Sequence, residues 1–162
     1  MTLDERKSAL RDYLTATRAD LRALLENLPT ADWERPVQSA EGGWTVKQAL
    51  LHLWTSETGQ TATGKAIAAG QPTVPDDFDL HRYNNRQVEK NRDRSPQDVL
   101  TAMLDSRQKL LAFLDDVTEA ELARSGRHGR GDVISLEQLF HRIAEHEAEH
   151  TAEIRSALAQ QT

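Results

Sequence analysis

Residues Ser135 to Gln160 read SLEQLFHRIAEHEAEHTAEIRSALAQ, and this stretch joins a helix signal to three of the six histidines in the chain. Ser135 followed by Gln138 has the pattern of a capping box, in which the serine hydroxyl accepts from a first-turn N–H and the glutamine reaches back to the cap. A helix is predicted to start there. At about 100° per residue, Leu136, Leu139, Phe140, Ile143, Ile154, Ala157 and Leu158 fall on one sector, the apolar stripe of a core-facing helix. His146 and His150 fall inside that sector. Their i, i+4 spacing puts two imidazoles one turn apart on the same face, from which two nitrogens can converge on one metal ion. The same spacing also suits a pair of hydrogen-bonded core histidines, and a third ligand has to come from elsewhere. His141 points to the opposite side. Glu147 lies in the apolar sector too, where a carboxylate needs a partner or a chemical task.

Working outward, three more long helices are expected. Thr2 and Glu5 form a capping box ahead of Leu3, Leu10, Leu14, Leu21, Leu24, Leu25 and Leu28, and Pro29 ends that helix. Thr30 to Gly43 reads as a connection with a short helical turn near Ala31 to Glu34. Thr45 and Gln48 cap a second helix with Val46, Leu50, Leu53 and Trp54 on its apolar side. Gly59 and Gly64 predict fraying or bending in its second half. His52 sits opposite Leu50, either on a solvent face or on the wall of a polar cleft. After a proline-containing loop, Phe78 to Asn91 reads as a shorter polar helix. Ser95 as N-cap with Pro96 at the first helical position opens another long helix, with Val99, Leu100, Met103, Leu104, Leu110, Leu111 and Leu114 on one stripe. Arg107 interrupts that stripe. Thr118 to Leu122 forms one capped turn, and SGRHGRGD reads as a flexible loop carrying a solvent-exposed His128. No strand pair is expected. The result is an all-α chain, a four-helix bundle with a crossover segment between helices 2 and 3, forming one domain over residues 1–162.

Arg107, Glu147 and Glu57 each intrude on a core-facing stripe. Arg107 and Glu147 are expected to pair inside the bundle or line its cavity together, the alternative being that they reach out to solvent. Facing a metal, Glu147 would be a candidate base and Arg107 an anchor for an anionic substrate. The formal net charge of −6 over 162 residues argues against a partner recognised through nucleic-acid phosphates. With no apolar run near the length of a membrane span, a soluble cytoplasmic protein is expected. Cysteine is absent, so any thiol chemistry would use a thiol on the substrate.

GGWTVKQALLHLWTSE (42–57) resembles the tryptophan, hydroxylated cap and helical histidine of the DinB/YfiT-like superfamily. HRIAEHEAEHTAEI (141–154) resembles its last helix, and FDLHRYNN (78–85) resembles the crossover helix of some members. The resemblance implies a four-helix bundle, often dimeric, with a divalent metal held by His52, His146 and His150. His81, His128 and His141 are not expected to take part. It also implies a metal-dependent enzyme that activates a low-molecular-weight thiol or water for S-transfer or hydrolysis on a small molecule; the alternative is a non-catalytic helical homodimer that binds a small molecule or a protein partner. Zinc or nickel is expected first, since imidazole suits both.

Overall fold

The structure, a computed structural model, describes residues 1–160. Four long helices form the bundle: α1 (Leu3–Leu25), α2 (Val46–Ala68), α4 (Pro96–Asp116) and α6 (Leu136–Ala159), with the shorter α3 (Leu80–Lys90) and α5 (Glu119–Ala123) between them. Thr2, Thr45, Thr118 and Ser135 each close the predicted capping box, and Ser95 caps α4 ahead of Pro96. Around the bundle α1 lies beside α6 and α4, and α2 beside the same two. The consecutive helices α1 and α2 are therefore diagonal neighbours, and α3 packs on α2 as part of the crossover to α4.

The expectation of no strand pair is corrected. Two short antiparallel hairpins precede the histidine-bearing helices: β1 (Pro36–Ser39) with β2 (Gly42–Thr45), and β3 (Ser125–Arg127) with β4 (Val133–Ser135). Each leads without a break into a capped helix. The Val46 N–H donates to the Arg35 carbonyl and the Leu136 N–H to the Arg124 carbonyl, both at 2.9 Å, so each helix start is tied to its hairpin. At three or four residues these strands are too short for a period-2 pattern to register.

Apolar side chains fill the bundle from two ends. Trp33, Trp44, Leu21, Leu50, Val99 and Ile154 belong to one cluster, and Leu14, Leu110, Leu114, Leu136 and Phe140 to the other. The leucines of α1 and α4 are largely occupied in this core. Among the described residues, Met1, Leu104 and Val133 are the exposed large apolar side chains. α2 does not fray at its glycines but runs on to Ala68. A Cβ on Gly64 would stand 3.2 Å from Leu136, Leu139 and Phe113, so the glycine is where three apolar side chains press against the helix.

Between the two apolar clusters lies a buried ion quartet contributed by all four long helices: Arg18, Glu57, Arg107 and Glu147, each no more than 6% exposed. Arg107 Nη2 donates to Glu147 Oε2 at 2.6 Å and to Glu57 Oε2 at 2.5 Å. Arg18 Nε donates to Glu147 Oε1 at 2.6 Å and its Nη2 to Glu57 Oε2 at 2.9 Å. Thr17 and Ser106 hydroxyls complete the two carboxylates, and the remaining guanidinium donors reach the Met103 and Leu14 carbonyls. The expected Arg107–Glu147 pairing is thus present, joined by Glu57 and by Arg18.

Removing one member leaves an uncompensated buried charge, which costs about 3–5 kcal/mol. Glu147→Ala is expected to lose that much in urea unfolding. The neutral-for-pair replacement Arg107→Met with Glu147→Leu, which leaves Arg18 and Glu57 matched, should lose clearly less. Equal losses would mean that charge balance is not what the quartet supplies.

Candidate metal centre

His52 reaches the centre from α2, and His146 and His150 from α6. All three are buried, at 1%, 7% and 3% exposure. The face of α2 opposite Leu50 therefore lines a cleft. His146 Nε2 lies 3.2 Å from His52 Nε2 and 3.1 Å from His150 Nε2. Two imidazoles bound to one ion at ~2.0–2.1 Å with tetrahedral angles have nitrogens about 3.3 Å apart. His141 and His81 are on the surface, away from the cluster; His141 stacks on Tyr13 at a centroid distance of 5.2 Å.

A fourth group, Glu41, was not among the residues singled out in the sequence. It sits with Ala40 in the two-residue turn between β1 and β2, and the hairpin carries its carboxylate to the point where the three nitrogens converge. Glu41 Oε2 is 2.6 Å from His52 Nε2 and 3.2 Å from His150 Nε2, and its Oε1 is 3.1 Å from His146 Nε2. Trp44, three residues further along the same hairpin, lies against the His52 ring at a centroid distance of 4.5 Å. The signal that could have found Glu41 is thin: a lone acid in a turn has no periodicity, and only its nearness in sequence to the Trp44–His52 segment hints at it.

Burial alone would raise the Glu41 pKa, but hydrogen bonds from His146, His150 and His52 outweigh it and hold the carboxyl well below the usual carboxylate range. Burial pushes His52 down to about 4. For His150 burial acts in the same direction, but the neighbouring Glu41 and Glu153 carboxylates reverse it and its pKa is raised. The His52 ring is thus neutral near pH 7, the state in which imidazole ligates a metal.

These residues fit a divalent ion. Three Nε2 atoms and a carboxylate lie within 4.8 Å of one another, at the spacing such ligands need. On the far side of its ring, His150 Nδ1 lies 2.8 Å from Glu153 Oε2, the carboxylate–histidine arrangement that fixes ring orientation in metal sites, although the pair is not aligned as a hydrogen bond. His52 Nδ1 is buried without a partner. Glu147 and Arg107, the candidate base and anion anchor, meet each other and not the histidine nitrogens. Their charged groups are committed to the quartet, with Arg18, Thr17 and Glu57 taking up their hydrogen-bonding capacity.

Beside the cluster opens a cavity of about 240 Å³. Ser56, Gly59 and Thr63 of α2 form one side, and Phe78, Leu80 and Tyr83 form an apolar wall opposite. The turn of the second hairpin closes the rim. His128, expected in solvent, is 6% exposed. Its Nδ1 accepts from the Arg130 N–H at 3.1 Å, so the ring proton is on Nε2, which lies 3.2 Å from Gln60 Oε1. Next to it, Arg130 Nη2 donates to Glu41 Oε1 at 3.3 Å, joining the two hairpin turns.

Residues 13–154 match the family described as the DinB superfamily. The chain belongs to the DinB superfamily. Comparison with curated proteins gives no match. Among solved structures, YfiT from Bacillus subtilis, described as "a probable metal-dependent hydrolase with an unusual four-helix bundle topology", superposes with a TM-score of 0.80 at 21% identity over 97% of this chain and 87% of its own. The mycothiol-dependent maleylpyruvate isomerase gives 0.73 at 12% identity, over 95% of this chain but 61% of its own. The colibactin self-resistance protein ClbS, in complex with double-stranded DNA, gives 0.75 at 13% identity over 96% and 97%. At these identities the likeness shows the fold of this DinB protein.

The buried His128, with its pKa pushed by burial to about 4 against an ordinary 6.5, makes stability depend on pH. The unfolded chain takes up this proton first, so folded stability falls as pH drops from about 6.5 toward 4. His52 acts with the same sign and His150 with the opposite one. In His128→Gln the loss of urea midpoint between pH 7 and pH 4.5 is expected to shrink relative to wild type. An unchanged slope would show that His128 does not contribute.

Proposed function

We propose that this chain is a divalent-metal-dependent enzyme in which His52, His146 and His150 hold the ion. In this reading it acts on a small molecule in the adjoining cavity, with a low-molecular-weight thiol or water as the attacking group. The observation that carries the reading is the convergence of three buried imidazole Nε2 atoms and a carboxylate at one end of a cavity. A histidine set that leaves room for a further ligand is characteristic of catalytic sites. When bound there, such an ion supplies Lewis acidity that lowers the pKa of a thiol or water toward neutrality. Two relatives lend the choice of attacking group, one described as a probable metal-dependent hydrolase and one as mycothiol-dependent.

The chain's own residues divide the remaining work. Glu41 is the proton acceptor. Its carboxylate oxygens lie 2.6–3.2 Å from the three Nε2 atoms, which puts an acceptor beside the attacking group. Arg130 holds that carboxylate from the rim, and Trp44 packs the ring of His52. Phe78, Leu80 and Tyr83 keep water from one flank of the site. Zinc and nickel remain the first choices, because imidazole ligands do not discriminate sharply among late divalent metals.

Purified protein stripped with chelator and reloaded is expected to take up one divalent ion per chain, and His146→Ala to lose stoichiometric binding. Glu153→Gln should weaken affinity about 10- to 100-fold. A wild-type chain that binds no metal overturns the reading. In a screen of thiol-transfer and hydrolysis substrates, Glu41→Gln should retain the ion but lower turnover by about 10²–10⁴. Loss of the ion in that variant would make Glu41 a ligand instead.

A further inference from the structure

The cavity beside the histidines has features that the chemistry of the ion does not require, and they point to what fills it. Its walls are mainly apolar: Phe78 and Tyr83 stand with ring centroids 5.4 Å apart on one side, and Gly59 leaves the other side open. A Cβ at Gly59 would meet only the Tyr83 hydroxyl, at 3.5 Å, so the gap there is unfilled space of the cavity and not close packing of backbone on backbone. Within this apolar chamber the Asn84 side chain lines the cavity, and its amide is open to it. An accessible amide in an apolar wall offers both a donor and an acceptor to a bound molecule.

At the rim the charge is uneven. Arg142 is matched by Asp132, which accepts from both of its terminal nitrogens at 3.0 and 2.7 Å. Arg130 has a single long contact to Glu41, and the rest of its donors have no side-chain partner among the described residues. Its side chain is 45% exposed at the mouth. The backbone that presents it is nonetheless fixed. His128 takes the Arg130 N–H, the Gly131 N–H donates to the His128 carbonyl at 2.8 Å, and a side chain on Gly129 would press on Leu80 and Phe78. With a divalent ion in the histidine cluster the mouth carries a net positive charge, although the chain as a whole carries −6. An anchored guanidinium with free donors beside an apolar chamber is suited to a carboxylate on an apolar body.

We propose that the substrate class is an organic carboxylate with an aromatic or similarly flat apolar body and a hydrogen-bonding group between the two. The body lies in the chamber against the Phe78–Tyr83 wall and beside Gly59, Asn84 meets the polar group, and Arg130 holds the carboxylate. This rests on the reading of the cavity as the substrate site of the proposed enzyme. It assigns Arg130 and Gly59 as specificity-determining residues and replaces Arg107 as the anion anchor.

N-Benzoylglycine and its neutral primary amide are suitable probes, since they share ring and linkage and differ in charge. Binding is measured by titration calorimetry on metal-loaded and metal-stripped full chain, with metal content assayed separately in every variant. For loaded wild type the acid is expected to bind roughly 10- to 100-fold more tightly than the amide, the range of a hydrogen-bonded charge. Arg130→Gln should abolish that preference while leaving amide binding intact, with Arg130→Lys intermediate. Gly59→Leu should abolish binding of both probes with metal content unchanged, and Asn84→Ala should weaken both a few-fold. Equal affinity of acid and amide in wild type overturns the proposal. So does a preference that survives in Arg130→Gln, which would place the carboxylate on the ion. Absence of metal from the wild-type protein would instead defeat the enzyme reading, and the probes on stripped protein would still decide whether Gly59 and Asn84 bound the chamber.

Discussion

The ion quartet Arg18–Glu57–Arg107–Glu147 is the constraint on which the rest of the molecule depends, because it ties all four long helices through charged, directional contacts. Apolar stripes specify which faces meet but tolerate sliding, since leucine against leucine is nearly as good one step along. Charges in a low-dielectric interior tolerate much less. Glu57 lies five residues after His52 on α2, and Glu147 follows His146 directly on α6. When Arg18 and Arg107 grip those two carboxylates, the heights of α2 and α6 are fixed relative to each other, and so is the meeting of His52 with His146 and His150. The two arginines and two glutamates also cancel in charge. The quartet therefore orders the site without imposing a net field on it.

The hairpins perform the complementary task at the surface. Both histidine-bearing helices are entered from a hairpin whose last strand supplies the N-cap, so each turn is carried at a fixed offset from its helix. One turn delivers Glu41 to the nitrogens and the other delivers Arg130 to Glu41. The polar chemistry is thereby placed on short, pinned segments, and the bundle interior stays free for packing.

Much of this was legible in the sequence. The capping boxes at Thr2, Thr45, Thr118 and Ser135 located four helix starts, because a cap is a local interaction written within four residues. The wheel on α6 grouped His146 with His150, and intrusions on apolar stripes identified Arg107, Glu147 and Glu57. Arg18 lies four residues beyond Leu14 and was detectable by the same test. His52 was ambiguous, since the wheel shows the face opposite the leucines but not whether another element covers it. Glu41, Arg130 and the burial of His128 were not legible. Each depends on contacts between segments far apart in sequence, Glu41 with Arg130 and His146, and His128 with Gln60, and short hairpins leave no periodic trace from which such a meeting could be inferred.

That division has a consequence for specificity. With the quartet neutral and distant in role, the electrostatics felt by a bound molecule come from the few groups at the rim: Glu41, Arg130 and the matched pair Arg142–Asp132. These four side chains cancel, so the rim is close to neutral although the chain as a whole carries −6. Because Glu41, Arg130 and Asp132 stand on hairpin turns, which tolerate substitution better than helix interiors do, the charge at the rim can change while the histidines, the quartet and the fold stay as they are. A fold that holds its histidine cluster in the bundle and most of its rim charges on two turns keeps the candidate ion ligands apart from the groups that set the charge of the mouth.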